Sequence, residues 1–220
     1  MHIFQPTQLA FAGLDHLSDL SSVVLNWASP ERSYLSTVLR AAGLESAHRL
    51  LDVGCGSGDL LAAAAILEPG ALLYGIDPDE DALELASRKI YGTLQSVELH
   101  QGVAENLPFE SDMFDVVTAT LLVGVLSLEQ RREMLAECFR VLAPGGRLLI
   151  ADWAGRHEGV GAAISYPKHF VRWLLFSEAF PPTLEETMIR VGFHPPETRA
   201  KFWTVLGTIE LIEASKPLLG

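Results

Sequence analysis

Cysteine is nearly missing: two residues, Cys55 and Cys138, in a chain of 220 exclude a disulfide framework or a cysteine-built metal cluster. Cations are also scarce. Sixteen lysines and arginines stand against 28 acids, a net charge of −12. A protein that neutralises phosphates needs a basic footprint, so this balance disfavours nucleic acid as a partner. Long apolar runs are lacking too, although 49% of the residues are hydrophobic. The uncharged run Val116–Leu128 is 13 residues and carries Thr118, Thr120 and Ser127. A membrane-crossing helix takes about 20 residues, so no stable membrane insertion is expected. Met1-His2-Ile3-Phe4-Gln5-Pro6 shows no basic region leading into an apolar one, so no secretory leader is expected and a cytoplasmic location is. No internal repeat or low-complexity tract is visible.

Short apolar runs alternate with amphipathic ones, the pattern of a parallel sheet covered by helices. Strands are expected near 49–53, 72–76, 97–101, 114–119 and 146–152, and helices near 58–67, 80–90 and 128–142. In 128–142, Met134, Leu135, Cys138, Val141 and Leu142 share one face, while Arg131, Arg132, Glu133 and Glu137 are expected to face water. Pro144-Gly145-Gly146 should stop that helix. Further on, Thr183 reads as the N-cap of a helix to Val191, with Glu185 and Glu186 in its first turn. Thr198–Thr204 and Thr208–Ala214 alternate apolar and polar residues and read as an antiparallel hairpin.

The most informative stretch is Leu50-Leu51-Asp52-Val53-Gly54-Cys55-Gly56-Ser57-Gly58-Asp59-Leu60. A strand running into a glycine turn and then a helix N-terminus makes a nucleotide cradle, because glycine turns tightly and leaves no Cβ against a ligand. A dinucleotide fingerprint is G-x-G-x-x-G. Here the next glycine after Gly56 is Gly58, and Asp59 stands where the third glycine belongs. Carboxylates at Asp52 and Asp59 repel a pyrophosphate and attract a cation. Asp77, 19 positions after Gly58, ends the next strand and is placed to accept ribose hydroxyls. Asp79, Glu80 and Asp81 read instead as first-turn acids of the following helix. Cys55 sits where a small residue packs.

Asp52-x-Gly54-x-Gly56-x-Gly58 resembles the first motif of the class I S-adenosylmethionine (SAM)-dependent methyltransferases. Three further segments resemble that family in its order: Gln101 to Phe109, Phe114-Asp115-Val116-Val117, and Glu137 to Gly146 with its Arg140-Val141-Leu142-Ala143-Pro144-Gly145-Gly146 ending. The ending from Thr183-Leu184-Glu185-Glu186 through Gly192-Phe193 to Lys216-Pro217 is similar to the ubiquinone/menaquinone-type C-methyltransferase branch. The resemblance implies a Rossmann-like α/β fold with a seven-stranded, mostly parallel sheet, helices on both faces and a C-terminal antiparallel hairpin. It implies a helical arm or lid over residues 1–45 and a methyltransferase domain over 46–220, with a substrate-side insert at about 153–182.

It also implies SAM as cofactor, held by Asp52, Gly54, Cys55, Gly56, Gly58, Asp77, Pro78, Val103, Ala104, Glu105, Thr120 and Leu121, and a small-molecule acceptor. No metal is expected. Two departures stand out. Val103 replaces the aspartate that relatives aim at the adenine amino group, leaving Glu105 or backbone groups to compensate, with Val103, Ala104 and Leu122 against the ring faces. The loop Thr120-Leu121-Leu122-Val123-Gly124-Val125-Leu126 lacks the histidine that many relatives carry. Candidate general bases are therefore Asp152, His157, Glu158, Tyr166 and His169, with His16 in the arm; Asp152 reads equally well as a cap for the turn that follows it. His100 reads as a buried or edge histidine. Leu14, Leu17, Leu20 and Val24 form a stripe on the arm. Phe170, Trp173, Leu174, Phe176 and Phe180 read as the lining of an apolar acceptor pocket or as a homodimer interface. The competing functions are a SAM-binding regulator without transferase activity and an NAD(P)-linked oxidoreductase. A nucleic-acid amino-methyltransferase would need Asn/Asp-Pro-Pro-aromatic where this chain has Ala119-Thr120-Leu121-Leu122.

Overall fold

The computed structural model describes residues 3–4, 33–44, 48–68, 70–91, 93, 96–153, 183–204 and 207–218. The elements in chain order are β1 (Ile3–Phe4), α1 (Ser33–Ala42), β2 (Arg49–Val53), α2 (Asp59–Leu67), β3 (Leu72–Asp77), α3 (Glu80–Tyr91) and β4 (Val97–Gln101). There follow β5 (Phe114–Thr120), a 3₁₀ turn (Val123–Val125), α4 (Leu128–Val141), β6 (Leu142–Trp153), α5 (Leu184–Val191), β7 (Glu197–Thr204) and β8 (Gly207–Ser215).

The strands form one sheet in the order β1-β4-β3-β2-β5-β6-β8-β7. Strands β4, β3, β2, β5 and β6 run parallel, and β8 and β7 close the sheet antiparallel. These are the seven expected strands. The eighth, β1, pairs antiparallel with β4 at the opposite edge, Ile3 opposite His100 and Phe4 opposite Leu99. Two residues are too few for a sequence periodicity to register, so this strand is not foreseeable from pattern alone.

Strand β2 lies at the centre, and its leucines are buried on both faces. One core gathers α1, α2, α3 and the strands beneath them, including Val38, Leu50, Leu61, Leu73 and Leu83. The other gathers α4, α5 and the opposite strand faces, including Leu51, Phe114, Met134, Leu148 and Met188. Helix α2 is apolar on nearly every side, with Leu60 through Ala65 all buried, because it is packed between the sheet and its neighbouring helices.

Helix α4 starts at a reciprocal cap: Ser127 accepts from the Gln130 backbone, and Gln130 Oε1 accepts from the Ser127 N–H. Thr183 and Glu186 make the same box for α5, as Thr183 was expected to do. The Pro144-Gly145-Gly146 step, expected to stop the helix, lies inside β6: α4 already ends at Val141, where Leu142 turns extended. Strand β6 begins at Leu142 opposite Phe114, slips register, and resumes at Arg147 opposite Val116. The slip is held by Lys216, whose carbonyl accepts from Gly145 N–H and whose N–H donates to the Gly146 carbonyl.

The expected arm at 1–45 lies outside the described residues except for β1 and residues 33–44, where Leu35, Val38, Leu39 and Ala42 bury α1 in the core. The expected insert at 153–182 lies outside them except for Trp153. So do Leu14, Leu17, Leu20, Val24, Phe170, Trp173, Leu174, Phe176 and Phe180. Among the described residues, no helix is long and apolar enough to cross a membrane.

Candidate functional site

Strand order reverses direction at β2, with β3 and β4 on one side and β5 and β6 on the other. Ligands of open α/β sheets bind beyond the carboxyl ends of strands at such a switch point. Here the carboxyl end of β2 is the glycine turn. Gly54 and Cys55 N–H both donate to the Ile76 carbonyl, at 2.8 and 3.1 Å, which ties the turn to the end of β3. Gly56 N–H donates to Asp77 Oδ2 at 2.8 Å, and Asp77 Oδ1 accepts from Asp79 N–H at 2.9 Å. The half-buried Asp77 carboxylate therefore joins the glycine turn to the start of α3.

The three glycines answer to different neighbours. All have positive φ (69°, 50° and 74° for Gly54, Gly56 and Gly58). A Cβ on Gly54 would meet the Leu122 side chain at 3.0 Å, and one on Gly58 would meet the Ala86 Cβ at 2.7 Å. Among the described residues, a Cβ on Gly56 would meet nothing within 4 Å. Gly58 thus serves helix packing, whereas Gly56 borders open space next to Asp77.

The charges differ from their appearance in the sequence. Asp59 is paired with Lys89 at 2.9 Å, and Lys89 also donates to Ser57 Oγ at 2.8 Å, so Asp59 is no longer a free anion beside the turn. The ion pair between α2 and α3 needs tertiary contact, which is why the sequence reading overstated this carboxylate. Asp52 is 1% exposed, and Thr118 Oγ1 donates to its Oδ1 at 2.7 Å. Burial raises its pKa to about 7; the Thr118 bond opposes the shift, and Asp77 adds to it. The Cys55 thiol is buried and its pKa is pushed up, which removes it as a nucleophile.

Opposite the glycine turn, β5 ends at Thr120 and the chain turns sharply at Leu121, whose φ is +53°. A bulky residue in this region is strained. The corner is held from β6: Leu121 N–H donates to the Ala151 carbonyl at 2.8 Å, and Gly124 N–H donates to Asp152 Oδ2 at 3.0 Å. Asp152 Oδ1 accepts from Trp153 N–H at 2.7 Å. Burial raises the Asp152 pKa, and the backbone bonds and Arg131 oppose the rise. Both oxygens are occupied in the capping role.

The loop after β4 presents Val103 to solvent at 46% exposure while Ala104 is buried. Glu105 is half-buried and accepts from Gln130 Nε2 at 2.5 Å. Pro78 follows Asp77, is exposed, and its carbonyl accepts from Gln101. His100 is buried as expected, its Nε2 lies 3.8 Å from Glu98 Oε2, and its ring meets Phe109 edge-on at 4.9 Å. The candidate bases His157, Glu158, Tyr166, His169 and His16 lie outside the described residues. Among the described residues, no group of three or more His, Cys, Asp or Glu could hold a metal. An open cavity of about 450 Å³ between α4 and α5 is lined by Leu128, Arg132, Leu184 and Arg190 and includes none of the expected cofactor residues.

The profile of a methyltransferase domain family matches residues 50–146, from the start of the glycine turn's strand to the Gly146 step. Over these residues the chain is similar to the class I SAM-dependent methyltransferases. It is 31% identical over 150 residues to the ubiquinone/menaquinone biosynthesis C-methyltransferase UbiE of Syntrophotalea carbinolica, covering 68% of this chain and 62% of the relative. It is 30% identical over 160 residues to the demethylmenaquinone methyltransferase of Deinococcus radiodurans, covering 73% and 65%. The chain thus spans less than two thirds of either relative's length. Its fold matches the Haemonchus contortus phosphoethanolamine N-methyltransferase 2, solved with phosphomonomethylethanolamine and S-adenosylhomocysteine, at a TM-score of 0.68 and 16% identity, covering 92% of this chain and 58% of that one.

Proposed function

We propose that this protein transfers the methyl group of SAM to a small, partly hydrophobic acceptor, of which a quinol-type ring carbon is the leading case. The single observation that carries the cofactor reading is Gly56 at the sheet's switch point. It opens onto empty space with its N–H on Asp77. The bound cofactor supplies a methyl already activated by a sulfonium. This chain's own residues then need only bind, orient and exclude water, a proximity effect worth several kcal/mol.

In this reading the Asp77 carboxylate accepts the ribose hydroxyls, and Gly54, Cys55, Gly56 and Gly58 give close backbone approach. Val103 and Ala104 border the base together with Glu105 and Pro78, and Thr120 and Leu121 border the methionine end. Asp52 acts by charge, since its ionised form favours a cationic ligand over a pyrophosphate. The names of the two sequence relatives support a quinone-type acceptor and carbon methylation. The aromatic residues 170–180 support an apolar acceptor pocket. Fold alone does not choose the acceptor, as the phosphobase enzyme on the same scaffold illustrates.

The test is transfer of isotope-labelled methyl from SAM to demethylated quinols in detergent, compared with phosphoethanolamine. Label should enter the quinol ring and resist hydrolysis. Label on phosphoethanolamine instead would overturn the acceptor reading. Binding of NAD in preference to SAM by calorimetry would overturn the cofactor reading. Tight SAM binding without turnover on any acceptor would favour a regulatory protein.

A further inference from the structure

The loop from Gly102 to Phe109 is held from outside by α4. Leu107 is buried, yet among the described residues neither its N–H nor its carbonyl pairs with another backbone group. Its N–H donates to Glu137 Oε2 at 2.8 Å, and its carbonyl accepts from the Arg140 guanidinium at 3.0 Å. The same guanidinium donates to the Phe109 carbonyl at 2.7 Å and grips Glu137 through two bonds of 2.7 Å each. A planar fork is suited to this simultaneous binding. One turn before the helix interior, Gln130 links the α4 cap to Glu105. Glu137 was expected to face water. It is instead drawn onto the loop, and its charged form is favoured by Arg140.

These contacts fix the loop at Glu105, Leu107 and Phe109. Val103 is left exposed, and the loop's own carboxylate, Glu105, is engaged by Gln130. We propose that Glu137 and Arg140 are positioning residues for the cofactor. They set the shape of the Gly102–Phe109 loop through Leu107 and Phe109, and so govern affinity for the adenine end without touching it. The proposal rests on the reading that this loop borders the cofactor's base. It follows from where the polar contacts go: with no free carboxylate on the loop, recognition depends on its backbone and shape, and those are set by α4. The pair is partly open to solvent, with side chains 33% and 19% exposed, so its contribution to global stability is modest. Loop order and overall stability should therefore separate.

The full-length chain is titrated with S-adenosylhomocysteine by calorimetry, and amide exchange is followed at residues 103–109. R140M should raise the Kd about 10-fold or more and speed exchange at Leu107, with a Tm close to that of the parent. R140K should fall between, because an ammonium cannot serve two carbonyls and a carboxylate in one plane. E137Q keeps an oxygen for Leu107 N–H and should lose less than R140M. If R140M does not fold, R140K and E137Q carry the comparison. Faster loop exchange with unchanged Kd would overturn the proposal, and D77N losing affinity in the same series would show that the cofactor site itself stands. A parent chain that does not bind S-adenosylhomocysteine would overturn both.

Discussion

A carboxylate at Asp77 and another at Asp52 look alike in the sequence and differ in the folded chain. Asp77 is half-buried and accepts the Gly56 and Asp79 N–H groups, while Asp52 is enclosed and titrates near neutrality. Replacing Asp77 with alanine should weaken SAM binding by at least about 10-fold, the scale of one lost charge-assisted hydrogen bond. Circular dichroism should show an unchanged fold, and unaltered affinity would mean that the cofactor site is misassigned.

Asp52 predicts a pH dependence. Its pKa is raised from 3.8 to about 7 in the folded chain, so between about pH 4 and 7 the unfolded chain has released a proton that the folded chain still holds. Its contribution to stability therefore falls as pH rises through that window and is level above it. A cation bound nearby favours the ionised form, so SAM affinity should rise from pH 6 to pH 8. D52N should flatten both profiles, measured by thermal melts and by calorimetry. A parent-like pH slope in D52N would assign the dependence to another group.

Between elements, two close contacts decide what the glycine motif and the β6 terminus are for. Gly58→Ala adds a Cβ only 2.7 Å from that of Ala86 at a residue with φ +74°, forcing α2 away from α3. It should cost about 1–3 kcal/mol in urea unfolding. Asp152→Asn leaves one acceptor oxygen for the two backbone N–H groups of Gly124 and Trp153. The loss should be about 1–2 kcal/mol, with faster amide exchange at Gly124. A fully stable variant would show that the strained Leu121 corner is held by the Ala151 bond alone.

Element boundaries were legible because strand and helix periods differ: β2, β4 and α4 fall within a residue of their expected ends. The start of β6 was not. Pro-Gly-Gly reads as a stop, and only the pairing of Gly145 and Gly146 with Lys216 converts it into a bulge. The two partners lie about 70 residues apart in the chain, beyond the reach of any local pattern.

At the scale of the molecule, a ligand that binds only the folded chain must stabilise it by mass action. S-adenosylhomocysteine at 100 times its Kd should add about 2.7 kcal/mol, seen as a Tm rise of several degrees. NAD at the same concentration should leave the melt unchanged. A shift with NAD and none with S-adenosylhomocysteine would overturn the family's cofactor for this chain.

By itself the sequence determined the α/β class, the strand order along the chain and the place of the glycine turn, because each is written in local periodicity and spacing. It also marked Asp77 as the acid at the end of the next strand. Tertiary structure decided the rest. It neutralised Asp59 with Lys89, enclosed Asp52, and drew Glu137 and Arg140 onto a loop about 30 residues away. It also separated Gly58, which packs a helix, from Gly56, which borders open space. Charge, burial and hydrogen bonding depend on what lies across the fold, and no local pattern encodes that neighbour.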